Sequence, residues 1–185
     1  MKIPYLSLEI MHNEIKDSLL NACERVIESN SFILGNELEE FEKAFAEFCG
    51  AKHAIGCGNG LDAIYLVLKA FDIGSGDEVI IPSNTYIATA LAITYTGATP
   101  VFVEPRLDTF NIDAEKIEAA ITEKTKAIIA VNLYGRMCEM DAIRAIADKH
   151  GLRLMEDSAQ AHGAMYKGHS SGYYSDAAAF SFYPG

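Results

Sequence analysis

The first fifty residues carry apolar side chains at the three- and four-residue steps of amphipathic helices. Between residues 13 and 28 this spacing is regular, and between 36 and 48 a leucine and three phenylalanines fall on one side. Gly50 is suited to end the second helix, because glycine readily adopts the left-handed conformation that follows a helix. The pattern predicts helices at 13–28 and 36–48, in an N-terminal helical segment (residues 1–50) that packs on the rest of the chain.

From residue 51 onwards, short apolar runs alternate with amphipathic stretches. The runs predict six strands, at 53–55, 78–81, 100–103, 127–131, 152–155 and 178–182. The stretches predict helices at 61–71, 85–95, 114–121 and 140–150. Such alternation is typical of an α/β fold with a mainly parallel central sheet and helices on both faces. Ligands of these sheets bind beyond the carboxyl ends of the strands, so we expect the chemistry there.

Two of these strand ends carry residues suited to contact a ligand. Glycines at 56, 58 and 60 precede a predicted helix, whose free N–H groups favour an anion such as phosphate. The spacing fits neither a Walker loop nor a dinucleotide fingerprint, and an ordinary turn would also explain the glycines. At the next strand end, Ser83 or Asn84 could cap a helix, while Tyr86 could either stack on a planar ring or pack in the core.

A third strand end delivers two adjacent acids, Glu156 and Asp157. Side chains alternate along a strand, so we expect these two to face opposite sides rather than to act as an acid–base pair. A buried carboxylate needs a cationic partner, and a protonated pyridine nitrogen would supply one. His162 lacks a histidine partner at metal-ligand spacing, which favours a structural or water-bonded role. Ser181, at the last strand, offers one hydroxyl but could be a simple edge residue.

Composition restricts the classes of partner. The 185 residues include 15 Lys and Arg against 26 Asp and Glu, which gives a net charge of −11 and argues against binding to nucleic acid or anionic membranes. Half of the residues are hydrophobic, enough for a core. The start of the chain does not have the pattern of a secretory signal. The four cysteines are scattered, so we expect no metal site, reduced thiols and a cytoplasmic location.

Six strings occur in the order and spacing of one protein family, at residues 82–86, 108–113, 120–122, 133–135, 156–164 and 180–185. On these strings the chain resembles the DegT/DnrJ/EryC1/StrS sugar aminotransferases, which are pyridoxal 5'-phosphate enzymes of the aspartate aminotransferase fold (fold type I). The resemblance covers essentially the whole chain. It implies that residues 51–185 are the cofactor-binding large domain, with the rest of that domain and a small C-terminal domain not included.

The resemblance also implies individual roles around the cofactor phosphate and the substrate. Backbone N–H groups of Gly60 and Leu61, with the hydroxyl of Ser181, would hold the phosphate. Ile33 and Tyr183 would approach the sugar, although hydrophobic packing explains both equally well.

Three further roles concern the cofactor ring. By the resemblance, Tyr86 would stack on the pyridine ring, Asp157 would pair with its nitrogen, and Gln160 would bond its 3-hydroxyl oxygen. Asn132 departs from the family pattern, which commonly has histidine there, so a catalytic role for it is in doubt. The Schiff-base lysine would follow Gly185 directly, so we expect no catalytic residue within the chain.

The activity implied is transfer of an amino group from an amino acid, L-glutamate, to a nucleotide-linked keto-sugar, by a homodimer whose subunits complete each other's pockets. Residues 58–63 are similar to members that convert a dTDP-3-oxo-6-deoxyhexose into a dTDP-3-amino-3,6-dideoxyhexose. Two alternatives stay open. One is a sugar dehydratase of the same family, with histidine in place of the lysine, and the other is a non-catalytic binding or regulatory protein.

Overall fold

A five-stranded parallel sheet forms the centre of the chain in a computed structural model, which describes residues 4, 5 and 7–182. Its strands are β1 (Glu78–Pro82), β2 (Thr99–Val103), β3 (Thr125–Val131), β4 (Arg153–Asp157) and β7 (Ala177–Ala179). They lie in the order β2-β1-β3-β4-β7, and every neighbouring pair is parallel. Two short strands, β5 (Met165–Tyr166) and β6 (His169–Ser170), form a separate antiparallel hairpin.

In the described part of the chain, six α-helices accompany the strands: α1 (Glu9–Ser29), α2 (Asn36–Cys49), α3 (Gly60–Ala70), α4 (Ile87–Thr96), α5 (Ala114–Ile117) and α6 (Met140–His150). A 3-10 turn, Glu118–Ala120, continues α5, and another, Leu133–Gly135, follows β3. Helix α2 lies within one residue of its predicted bounds, whereas α1 begins four residues earlier than predicted, at Glu9. The predicted helix 114–121 is divided into α5 and its 3-10 turn, and the predicted helix at 85–95 begins later, at Ile87.

Alternate side chains of the sheet enter two separate cores. Val79 and Ile81 pack with α3 and α4 on one face, whereas Ile80 packs with α5 and α6 on the other. In β4, Met155 joins the first core and Leu154 the second. This arrangement confirms the predicted α/β fold, with a parallel sheet that helices cover on both faces.

The strand predicted at 53–55 is wrong. These residues form no ladder with any strand in the described part of the chain, and Ile55 is 85% exposed. A strand requires a neighbour for its backbone hydrogen bonds, and a three-residue apolar run says nothing about whether one is present. The strand predicted at 178–182 is also shorter than expected, because pairing with β4 stops at Ala179. The β5–β6 hairpin was not predicted.

Helix α2 packs against the segment that follows β7. The ring of Phe45 meets those of Phe180 and Phe182 edge-on, at centroid distances of 5.0 and 5.3 Å. Helix α1 has no buried residue and is joined to α2 by the ion pair between Arg25 and Glu37. The division of the chain at residue 50 stays a prediction.

Candidate functional site

The N-terminus of α3 and the hydroxyl-bearing residue after β7 lie side by side. A Cβ atom built on Gly60 would be 2.9 Å from the Cβ and 3.4 Å from the Oγ of Ser181, so only glycine allows this approach. The side chain of Asn59 caps α3 by accepting from the Asp62 N–H at 2.9 Å. The N–H groups of Gly60 and Leu61 donate to no other residue that the structure describes. Two free donors and a hydroxyl form a cradle suited to a phosphate.

Helix α2 holds the glycine-rich segment before the cradle. The carboxylate of Glu42 accepts a hydrogen bond of 2.6 Å from the Gly56 N–H. A Cβ on Gly56 would lie 2.5 Å from a methyl group of Leu38, so the loop packs directly on the helix. Sequence reasoning missed this role of α2, because helical periodicity shows which side is apolar and not what packs on it.

Asp157, the last residue of β4, is a buried acid on the α3–α4 side of the sheet. It is 6% exposed, and its Oδ2 accepts a hydrogen bond of 2.7 Å from the Thr89 hydroxyl, while Oδ1 accepts one of 3.2 Å from the Ala159 N–H. Burial raises its pKa, and the two hydrogen bonds oppose that rise. No cationic side chain in the described ranges forms an ion pair with it. A ligand with a protonated ring nitrogen would provide the missing charge.

Tyr86 and Gln160 lie at the same edge and are accessible. Tyr86 occupies the N-cap position of α4 and is 71% exposed, so its ring is not a core residue. The amide oxygen of Gln160 accepts a hydrogen bond of 2.9 Å from the Tyr134 N–H. Its NH₂ group donates to none of the residues described, which leaves it available to an oxygen of a ligand.

Glu156 lies on the opposite face from Asp157, as the alternation along the strand predicts. Its carboxylate is fully buried and accepts from four donors at 2.8–2.9 Å, which are the side chains of Asn132, Ser171 and Ser175 and the N–H of Gly172. Asn132 also accepts from the Cys138 N–H at 2.8 Å. Asn132 therefore belongs to a buried structural network rather than to the accessible edge.

Other predicted residues are less well placed. Ile33 is 84% exposed in the connection between α1 and α2, and its role stays a prediction. Tyr183 lies outside the described residues. His162 stands between the rings of Phe180 and Phe182, at 5.4 and 5.0 Å, and burial lowers its pKa. Across the residues described, no group of three His, Cys, Asp or Glu side chains could hold a metal ion.

Comparison with known proteins shows the family of this chain. The DegT/DnrJ/EryC1/StrS aminotransferase family matches residues 13–185. The chain belongs to this family. A dTDP-3-amino-3,6-dideoxy-α-D-galactopyranose transaminase from Aneurinibacillus thermoaerophilus is 55% identical to it over 180 residues, which are 97% of this chain and 50% of that protein. This chain thus spans about half the length of the curated relatives it matches.

Two solved structures superpose closely on this chain. The S. venezuelae protein DesV, in complex with a ketimine intermediate, has a TM-score of 0.95 and 48% identity over 99% of this chain and 49% of that one. A Bacillus subtilis protein with bound cofactor PMP has a TM-score of 0.86 and 36% identity over 92% of this chain and 39% of that one. The family's fold is therefore shown for this chain.

The residues present fit a phosphorylated pyridine cofactor of the kind found in the family. A Cβ atom added to Gly60 would fill the cradle beside Ser181, and the buried acid Asp157 lacks a cationic partner in the part of the chain described.

None of the helices in the described residues combines the length and apolar character needed to cross a membrane.

Proposed function

We propose that this chain is the cofactor-binding part of a pyridoxal-phosphate-dependent sugar aminotransferase. The observation that carries the proposal is Asp157, a buried carboxylate without a cation among the described residues, at the same sheet edge as the phosphate cradle. When bound, the cofactor supplies an electron-accepting ring that carries an amino group between two substrates.

The residues of this chain bind and orient that ring. The N–H groups of Gly60 and Leu61 and the hydroxyl of Ser181 would hold the phosphate. Tyr86 would lie against the ring face, since its exposed side chain is accessible to a ligand at this edge. Asp157 would hold a proton at the ring nitrogen, since an ionised buried carboxylate stabilises an adjacent cation.

Gln160 completes the ring site. Its amide oxygen already accepts from the Tyr134 N–H, so the NH₂ group would donate to the ring's 3-hydroxyl oxygen. With Asp157 and the phosphate cradle, Gln160 would give the cofactor a third point of attachment to this chain.

The substrates we propose are L-glutamate as donor and a dTDP-3-oxo-6-deoxyhexose as acceptor, which gives a dTDP-3-amino-3,6-dideoxyhexose. The A. thermoaerophilus relative, at 55% identity, supports this choice through its name. We also propose a cytoplasmic location, in keeping with four cysteines that lack the density of a disulfide framework.

The proposal includes a homodimer. Helix α1 has no buried residue and exposes apolar side chains, among them Ile10, Leu20 and Ile27 at 77%, 58% and 62%. Apolar surface of this extent favours a protein partner. Sedimentation of the full-length protein should give twice the monomer mass, and Leu20→Glu should shift it towards the monomer.

The function is tested on the full-length protein by the absorbance of its cofactor. The band should change on addition of L-glutamate and return on addition of a dTDP-linked 3-oxo sugar, and dTDP- and UDP-linked 4-oxo sugars are the matched controls. Equal rates on 3-oxo and 4-oxo sugars would contradict the substrate. A spectrum that does not respond favours the binding or regulatory alternative.

The dehydratase alternative is distinguished by product. Transamination leaves an amine on the sugar, whereas dehydration removes the elements of water and leaves no new nitrogen, so the mass of the product separates the two. Reading the residue after Gly185 gives an independent answer, because lysine supports the first reaction and histidine the second.

A further inference from the structure

We infer that Thr85 and Thr89 form a hydroxyl relay that orients the carboxylate of Asp157 towards the ring nitrogen of the cofactor. The inference deepens the proposed function and rests on it. Both threonines are positioning residues, because they act through Asp157. The family resemblance assigned no role to either of them.

The geometry fixes the direction of the relay. Thr89 is fully buried, and its Oγ1 lies 2.7 Å from Asp157 Oδ2 and 2.7 Å from Thr85 Oγ1. An ionised carboxylate can only accept, so the single hydroxyl proton of Thr89 goes to Asp157. The Thr89 oxygen then accepts from Thr85. The chain of donors therefore runs from Thr85 through Thr89 to Asp157.

The use of the Thr89 hydroxyl differs from that of its neighbours in the same helix. Thr94 and Thr96 return their hydroxyls to carbonyl oxygens of α4, those of Leu91 and Ile93, at 2.9 and 2.7 Å. This local bonding is the usual behaviour of threonine in a helix. The Thr89 hydroxyl instead donates to the carboxylate of Asp157 in the sheet.

The relay also opposes the cost of burying a charge. With Thr89 on Oδ2 and the Ala159 N–H on Oδ1, both oxygens are anchored and the carboxylate cannot rotate freely. Burial raises the pKa of Asp157, and the Thr89 bond is the first of the effects that lower it. Without this bond, the pKa of Asp157 would rise further, and its charged form, which would keep a ring nitrogen protonated, would be less favoured.

One helical turn links this carboxylate to the stacking residue. The backbone N–H of Thr89 donates to the carbonyl oxygen of Tyr86 at 3.1 Å. The relay residues therefore flank Tyr86, and the same turn that presents the aromatic ring to the cofactor also supplies the donor to Asp157. A ring stacked on Tyr86 has its position relative to the carboxylate set by these few bonds.

The test uses full-length protein loaded with cofactor that carries ¹⁵N at the pyridine nitrogen. The ¹⁵N chemical shift reports whether that nitrogen is protonated. We expect Thr89→Val to weaken proton binding there about tenfold, because a charge-assisted hydrogen bond is lost. Thr85→Val should also weaken proton binding at this nitrogen, but by a smaller factor. Thr89→Ser, which keeps the hydroxyl, and Thr94→Val, on the same helix, should match the wild type.

Activity gives a second readout. The relay predicts that kcat falls in Thr89→Val while KM for the keto-sugar is unchanged, because sugar contacts are not altered. An unchanged ¹⁵N shift in Thr89→Val overturns the relay alone. If Thr89→Val does not fold, Thr85→Val decides, because its side chain is only half-buried. A wild-type protein that binds no pyridine cofactor would overturn the proposed function, and with it this inference.

Discussion

Gly60→Ala tests the phosphate cradle most directly, because the added methyl group enters the space shared with Ser181. The new Cβ would lie 2.9 Å from the Ser181 Cβ, whereas carbon atoms in contact prefer at least about 3.5 Å, so Ser181 must retreat by about 0.6 Å. A hydrogen bond of ordinary length that is stretched by this amount passes the limit of useful geometry. The N–H of residue 60 is retained, so the hydrogen bond that is lost is the one from the Ser181 hydroxyl to the phosphate.

Free-energy terms of known size predict how Gly60→Ala changes cofactor affinity and the free energy of unfolding. A hydrogen bond to a charged group contributes about 1.5–3 kcal/mol, so cofactor affinity should fall roughly 10- to 100-fold. Replacing glycine by alanine stabilises a helix by at most about 1 kcal/mol. Overpacking costs about 1–3 kcal/mol, so the free energy of unfolding of the cofactor-free protein should fall by about 1 kcal/mol.

The assay is titration of cofactor-free, full-length protein with pyridoxal phosphate, followed by absorbance, together with urea unfolding. Pyridoxal, which lacks the phosphate, is the ligand control, and the variant should bind it as the wild type does. Gly74→Ala is the matched variant, because its Cβ would meet only the Thr96 carbonyl oxygen, at 3.6 Å. A folded Gly60→Ala protein with wild-type affinity for pyridoxal phosphate would refute the cradle.

Three further predictions concern the ring site and the buried network. Tyr86→Ala should weaken cofactor binding about tenfold, with little change in the melting temperature of the cofactor-free protein, because the side chain is 71% exposed; equal losses in Tyr86→Phe would argue against stacking. Glu156→Gln should lower the free energy of unfolding by about 2 kcal/mol, because an amide donor then faces N–H and hydroxyl donors; urea titration checks this, and the exposed Glu123→Gln should cost nothing measurable. Burial raises the pKa of Asp157, so the folded cofactor-free protein binds that proton more tightly than the unfolded chain, and its stability falls as pH rises above about 4. Asp157→Asn should remove that fall in unfolding experiments from pH 4 to 8. A variant with the same pH profile of stability as the wild type would contradict this role of Asp157.

Strand periodicity predicted much of the sheet edge. The alternation in β4 correctly separated Glu156 from Asp157, because one residue along a strand always changes face. Thr89 could not be found in this way, since its partner Asp157 is 68 positions away and only the packing of α4 on the sheet brings the two together. The same limit hid the contact of α2 with the glycine-rich segment.

Short elements were the least predictable part of the fold. Residues 53–55 have the apolar character of a strand but no neighbour to pair with in the part of the chain described, so the pattern predicted a strand wrongly. The two strands of the β5–β6 hairpin have only two residues each, too few for any period to appear. Their turn, with Lys167 and Gly168 at positive φ, carries more information than the strands themselves.

The contact between Gly60 and Ser181 joins parts of the chain that lie far apart in sequence. During synthesis, the helix that begins at Gly60 leaves the ribosome well before Ser181, so the cradle can form only when most of this chain is already available. Its closure therefore comes late, and it carries the entropy cost of a long loop. A ligand that bridges both sides stabilises the folded state by an amount that rises with the logarithm of its concentration once that concentration exceeds the Kd. Cofactor that binds to the cradle should thus make the newly folded full-length protein more resistant to proteolysis.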